Sequence, residues 1–145
     1  MKTTFSDLGL QDFLRKGLEA LDIKSPTAIQ EQVIPIILSQ KDDVVALAKT
    51  GTGKTAAFGL PLLQHIDTSN PDVQAVVLAP TRELGQQIHK NLCDFAAHKP
   101  EISIAVVCGG IPIKPQIERL KEPTHIIVAT PGRLIDLIER KKVAI

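Results

Sequence analysis

The apolar positions of this chain change period along its length. From Leu8 to Leu21, the residues Leu10, Phe13, Leu14, Leu18 and Leu21 recur at helical spacing, with Arg15, Lys16 and Glu19 on the other side. That stripe predicts an amphipathic helix. Phe5 precedes it in an otherwise polar segment, where it can serve as a hydrophobic staple. After a connection at Asp22 to Ser25, Ser25 as cap and Pro26 as first helical residue predict a second helix, since proline's missing N–H is not needed there. Thr27-Ala28-Ile29-Gln30 also has the spacing of a capping box, which gives Gln30 a purely structural explanation. The apolar run from Val33 to Leu38 contains Pro35, and the lost N–H predicts a helix broken near that residue.

Beyond Lys41-Asp42-Asp43 the pattern switches to apolar runs joined by short polar junctions to helical segments. The run from Val44 predicts a strand, followed by a Gly-rich junction and a helix from about Lys54 to Asp67. Thr68-Ser69-Asn70-Pro71-Asp72 is a turn cluster. The unit then repeats three times in outline. Ala75 to Ala79 leads through Pro80-Thr81-Arg82-Glu83-Leu84 into a helix reaching roughly His98. Ile102 to Val107 leads through Cys108-Gly109-Gly110 into a helix near Pro115 to Leu120, and His125 to Ala129 leads through Thr130-Pro131-Gly132-Arg133 into a last helix. Strands as continuously apolar as Ala75-Val76-Val77-Leu78 belong in a sheet covered on both faces. The prediction is a doubly wound, mostly parallel α/β domain with helices on both faces. Right-handed crossovers then bring every strand-to-helix junction to one edge of the sheet, where ligands of open α/β sheets bind.

Composition narrows the class. The 145 residues are 43% hydrophobic, enough for one domain with its own core. No apolar run approaches the roughly 18 residues of a membrane span, and the first residues lack the apolar stretch of a signal peptide, so a cytoplasmic location is expected. Cys93 and Cys108 do not have the spacing of a metal cluster or redox pair and are expected to be buried thiols in a reducing compartment. His65, His89, His98 and His125 show no metal-ligand spacing either. A formal net charge of +1 provides no broad electrostatic footprint for nucleic acid. Nucleic-acid binding, if present, has to come from individually placed groups.

The junction after Val44 carries the most specific chemistry. In Ala48-Lys49-Thr50-Gly51-Thr52-Gly53-Lys54-Thr55, Gly51 and Gly53 allow successive N–H groups to converge on one anion at a helix N-terminus. Lys54 can reach the terminal phosphates of a nucleotide, and the Thr55 hydroxyl can ligate a magnesium ion. The general pattern G-x-x-x-x-G-K-[ST] has Gly where this chain has Ala48. The other three junctions also suit anions: Thr81 with Arg82, the Gly109-Gly110 backbone, and Thr130 with Arg133. Singly these are ordinary caps and turns. Together they suggest an extended polyanion lying beside the nucleotide.

These segments, in this order, resemble the first RecA-like domain of the DEAD-box ATP-dependent RNA helicases. Asp22 to Gln30 resembles the family's Q motif, with Phe5 at the upstream aromatic position. Ala48 to Thr55 matches the family's own form A-x-T-G-x-G-K-T, which accounts for the alanine. Pro80-Thr81-Arg82-Glu83-Leu84 resembles motif Ia, Gly109-Gly110 the GG motif, and Thr130-Pro131-Gly132-Arg133 motif Ib. Asp22 departs from the usual Gly, and Asp tolerates unusual backbone angles. The sequence shown runs to Ile145 and contains neither the D-E-A-D and S-A-T motifs nor the family's second RecA-like domain.

The resemblance implies a partial N-terminal RecA-like ATP-binding domain over 1–145, with an adenine-recognition segment in 1–40. It implies that Phe5 stacks on adenine and Gln30 reads its N6 and N7 edge. Ala48, Lys49, Thr50, Gly51, Thr52, Gly53, Lys54, Thr55 and Ala56 would hold ATP and Mg2+, with Lys54 and Thr55 in the catalytic machinery and Thr55 on the metal. Thr81, Arg82, Gly109, Gly110, Thr130, Gly132 and Arg133 would contact the backbone of single-stranded or structured RNA. The function implied is the ATP-binding part of an RNA helicase that couples hydrolysis to strand separation or remodelling, and residues 1–145 alone are expected to hydrolyse essentially no ATP. A DNA helicase or translocase of the same superfamily, and a non-catalytic nucleotide- or RNA-binding module, are the alternatives.

Overall fold

Strand β3 (Ile126–Ala129) lies at the centre of a three-stranded sheet in which all four of its residues are fully buried. Its neighbours are β1 (Ala75–Leu78) and β2 (Ile104–Val107), both parallel to it, in the order β1-β3-β2. Leu78 and Val107 both pair with Ala129, so the three chain exits leave the same edge of the sheet. The computed structural model describes all of residues 1–145. They form two compact units, Met1–Ile66 with Asn91–Pro100, and Asp67–Lys90 with Glu101–Ile145.

The second unit contains the sheet, the start of helix α4 (Arg82–Phe95), α5 (Ile113–Arg119) and α6 (Pro131–Glu139). The step from β1 to β2 advances two positions and the step from β2 to β3 returns one, so right-handed crossovers place α4 and α5 on opposite faces. Val107, Ile127, Ala129, Leu134 and Leu137 form a core cluster against which Ile113, Ile117 and Leu120 pack. Burial on both sides explains why β3 carries no polar residue.

The first unit is helical: α1 (Asp12–Ala20), α2 (Ala28–Ser39) and α3 (Lys54–Gln64), joined by the last residues of α4. Leu14 and Leu18 of α1, Ile34 of α2, Leu60 and Leu63 of α3, and Leu92 are almost wholly buried. Phe5 is buried too, with 6% of its surface exposed. Asp22 adopts φ 58, the left-handed conformation in which a glycine carries no steric cost and Asp a small one.

Several sequence expectations are corrected. Helix α1 begins at Asp12, and Leu10, not Phe5, precedes its cap Gln11, so Phe5 is not that helix's staple. Helix α2 starts at Ala28 with Thr27 as its cap, two residues beyond Ser25. Gln30 Oε1 accepts from the Thr27 N–H at 3.0 Å, and this capping box outcompetes the Ser-Pro start. The helix also runs unbroken through Pro35 to Ser39. Pro35 and Glu31 are both exposed, so the Glu31 carbonyl deprived of its partner can meet water. Val44 to Ala48 forms no strand, leaving three strands where four were expected. An apolar run becomes a strand only against a hydrogen-bonding partner; here Val45 and Leu47 are 90% and 91% exposed. Cys93 is exposed rather than buried.

Candidate functional site

The Gly-rich junction in the first unit keeps its shape without a flanking strand. Gly51 and Gly53 take φ 79 and φ 82, and Gly53 is the N-cap of α3. A glycine cap has no side chain to satisfy the first-turn N–H groups, and no acidic residue occupies that turn. Those amides and the helix dipole are open to an anion. Lys54 Nζ donates to Ala48 O at 2.8 Å, folding the cation back over the loop, and Thr52 Oγ1 donates to Lys49 O at 2.6 Å.

The Q-motif segment is tied directly to this loop. Thr27 Oγ1 donates to Thr52 O at 2.9 Å, and Gln30 Nε2 donates to Gly53 O at 3.1 Å. The partners define the amide's orientation, because Thr27 N–H needs the oxygen and Gly53 O needs the nitrogen. Gln30 is only 4% exposed. One of its two N–H groups and one lone pair of Oε1 remain after these bonds. A Cβ at Gly53 would collide with this amide.

In the second unit, the three polar junctions meet around the loop after β2. Thr81 caps α4 by accepting from the Leu84 N–H at 3.2 Å. Arg82 Nη1 donates to Gly110 O at 3.1 Å, while Nη2 pairs with Glu83 at 3.2 Å. A hydrogen bond from its own backbone, and after it that guanidinium, hold the Glu83 carboxyl below its ordinary value. Thr130 does not cap its own helix; its hydroxyl accepts from the Gly109 N–H at 2.9 Å. Arg133 Nη1 donates to Ile111 O and to Gln116 Oε1, both at 3.0 Å. Gly110 has φ 79, and a Cβ there would lie 3.1 Å from Arg82 Nη1. Gly132 is exposed, with open space around it.

Two residues in this set were not singled out by sequence reasoning as part of a site. Cys108 is fully buried under the loop, and burial pushes its thiol up from its ordinary value. Gln116 is buried at 6% exposure and donates to Cys108 O at 3.0 Å. Its signal was present in the sequence: Ile113, Gln116, Ile117 and Leu120 fall on one helical face, and a polar residue inside an apolar stripe needs a partner. No group of three or more His, Cys, Asp or Glu residues is placed to hold a metal ion. His125 Nδ1 instead accepts from the Ser103 N–H at 2.9 Å, and His65 Nε2 lies 3.1 Å from Ile37 O.

The family model of the DEAD/DEAH box helicases matches residues 27–144, from the Thr27 cap to the end of the second unit. This chain is a DEAD/DEAH box helicase family member. The family assignment rests on most of the length and includes both hydrogen-bonded loop systems. The DEAD-box chain is 48% identical over 139 residues to the ATP-dependent RNA helicase CshA of Limosilactobacillus reuteri, covering 96% of this chain and 28% of that one. It is 46% identical over 142 residues to the RNA helicase CrhR of Synechocystis, again covering 28% of the relative. It thus spans little more than a quarter of these relatives' length. Among solved structures, a DEAD box protein from the hyperthermophile Methanococcus jannaschii superposes with a TM-score of 0.90 at 36% identity, over 97% of this chain and 38% of the other. The Saccharomyces cerevisiae protein Dbp5, solved bound to RNA and ADP BeF3, superposes with a TM-score of 0.87 at 31% identity, over 98% and 35%. The α/β fold with a parallel sheet flanked by helices is therefore the RecA-like fold of these helicases. No helix is long and apolar enough to cross a membrane.

Proposed function

We propose that this chain is the ATP-binding part of an ATP-dependent RNA helicase. The observation that carries the reading is the N-terminus of α3, which no side chain caps, with Lys54 folded back over the loop and Gln30 tied to the cap residue Gly53. The first-turn amides fit the phosphates of ATP, and Lys54 supplies a mobile charge for the terminal ones. Thr55 would share in holding Mg2+, whose role is to neutralise charge on the phosphate oxygens. The donor and acceptor left on Gln30 match the N6 and N7 edge of adenine. Phe5 would stack on the base through what remains of its exposed edge. Thr81, Arg82, Gly109, Gly110, Thr130, Gly132 and Arg133 would meet the RNA backbone, which positions a strand without reading its sequence.

Base selection is tested by replacing Gln30. Gln30→Ala removes its bond to Gly53 O whichever nucleotide is present, so that loss is common to ATP and GTP. The base-edge contact is lost for ATP alone, and discrimination between the two should fall by roughly 1–3 kcal/mol. Isothermal titration showing equal losses for both nucleotides would reduce Gln30 to a structural cap.

The RNA assignment is tested by turnover in the full-length protein. Arg133→Ala should lower RNA-stimulated ATP hydrolysis more than Arg82→Ala, because Arg82 already spends Nη2 on Glu83 whereas Arg133 Nη2 and Nε have no protein partner. Stimulation unchanged in both variants would remove the backbone-contact reading. Residues 1–145 alone should show no RNA-stimulated turnover, and turnover that Lys54→Ala abolishes would overturn the view that the rest of the protein completes the catalytic site.

A further inference from the structure

The loop from Cys108 to Ile111 is held residue by residue. Gln116 Nε2 donates to Cys108 O, Thr130 Oγ1 accepts from Gly109 N–H, Arg82 Nη1 donates to Gly110 O, and Arg133 Nη1 donates to Ile111 O. Three of these side chains sit at helix starts. The fourth, Gln116, lies inside α5 and is buried. It also bonds another member of the set, because its Oε1 accepts from Arg133 Nη1 at 3.0 Å. One amide therefore joins the first residue of the loop to the guanidinium that holds its last.

A buried amide destabilises a core unless both of its ends are bonded. Here both are, and one partner is a charged group. The two acceptors on Arg133 Nη1, Gln116 Oε1 and Ile111 O, restrain a side chain that otherwise has many rotamers. Nε and Nη2 keep no protein partner, and they form the edge of a guanidinium that can meet two phosphate oxygens at once. A bidentate contact depends on orientation, so the group that sets the orientation affects affinity without touching the ligand.

We infer that Gln116 is a positioning residue for RNA: it aims the guanidinium of Arg133 and fixes the loop from Cys108 to Ile111 against it. This rests on the proposed RNA contact of Arg133. A residue that merely fills the core would weaken RNA binding, if at all, to the same degree whether or not Arg133 is present. A positioning residue has its effect only through the arginine.

The experiment is a double-mutant cycle in the full-length protein, reading the affinity for a fluorescein-labelled single-stranded RNA by anisotropy with a non-hydrolysable ATP analogue present. Gln116→Met keeps the length and volume of the side chain and removes both bonds. With Arg133 present it should weaken RNA about tenfold, and in the Arg133→Ala background by less than about twofold, because contacting residues couple where independent ones add. Gln116→Glu keeps an acceptor for Arg133 but, as a carboxylate, has no donor for Cys108 O, so it should recover only part of the loss and bind RNA more tightly than Gln116→Met. Equal losses from Gln116→Met in both backgrounds would overturn the inference in favour of general loosening, as would wild-type affinity of that variant. Wild-type affinity of Arg133→Ala would overturn the RNA reading and this inference together. If Gln116→Met does not fold, the cycle is run with Gln116→Glu: a loss seen only with Arg133 present supports the role, and equal losses in both backgrounds, or none in either, overturn it.

Discussion

Lys54→Ala is expected to lower RNA-stimulated ATP turnover of the full-length protein by about 10²–10³-fold, the range seen when one preorganised charge-stabilising donor is removed. The side chain is exposed and its one hydrogen bond is to Ala48 O, so its removal leaves the core of the first unit intact. The unfolding midpoint should stay near that of the parent, because substitutions of exposed side chains away from caps and cores cost little. The loss therefore has to come from the phosphates. The Lys54 to Ala48 bond uses one of the ammonium's three donors, which leaves two for an anion at the α3 N-terminus. Turnover within twofold of the parent, measured by phosphate release at saturating RNA and ATP, would remove Lys54 from the proposed machinery.

The second large effect is expected at Gly53, and Gly51 serves as its internal comparison. Both glycines have positive φ, 82 and 79, so alanine at either carries the cost of a left-handed conformation, about 1–2 kcal/mol. They differ in their surroundings. Nothing lies near a Cβ at Gly51, whereas one at Gly53 runs into the Gln30 amide. Gly53→Ala should therefore add an overpacking cost of about 1–3 kcal/mol. It should also displace Gln30 from Gly53 O, losing adenine nucleotide binding along with the phosphate site. Gly51→Ala should show only the smaller, conformational part. Titration of ATP analogues and thermal unfolding of both variants check this; equal behaviour of the two would mean that the Gln30 contact does not shape the loop.

The sheet was legible because burial leaves a continuous apolar signature in Ile126 to Ala129 and Ile104 to Val107; Ala75 to Leu78 carries the same signature, but as an edge strand it is not covered on both faces as expected, and Val76 and Leu78 are 37% and 57% exposed. The same signature misled at Val44 to Ala48, since an apolar run records what a segment can bury and not whether a partner strand is present. Pro35 misled for a related reason: the cost of a proline in a helix depends on whether the carbonyl it leaves unpaired can reach water, which is a property of the packed helix. The cap of α2 was visible twice in the sequence, as Ser25-Pro26 and as Thr27 with Gln30. Only the bonds of Gln30, to Thr27 on one side and to Gly53 on the other, decided between them.

Local chemistry determined the candidate sites to the extent that they are local. The positive-φ glycines, the uncapped helix start and the order of the polar junctions follow from residue types at short spacing, and they were readable without coordinates. What tertiary structure alone decided is which junctions share hydrogen bonds. Arg82 comes from one helix start and Thr130 and Arg133 from another far away in sequence, and they converge on three consecutive residues after β2, Gly109 to Ile111, because parallel pairing brings the strand ends to one edge. Gln116 is the sharpest case: its type and helical phase marked it as an inward polar residue, but its partners, Cys108 O and Arg133, are set by the crossover of α5 onto the sheet. A hydrogen bond is a short-range, directional interaction, so its partners follow from the fold once backbone and side chains are placed, and not from spacing along the chain.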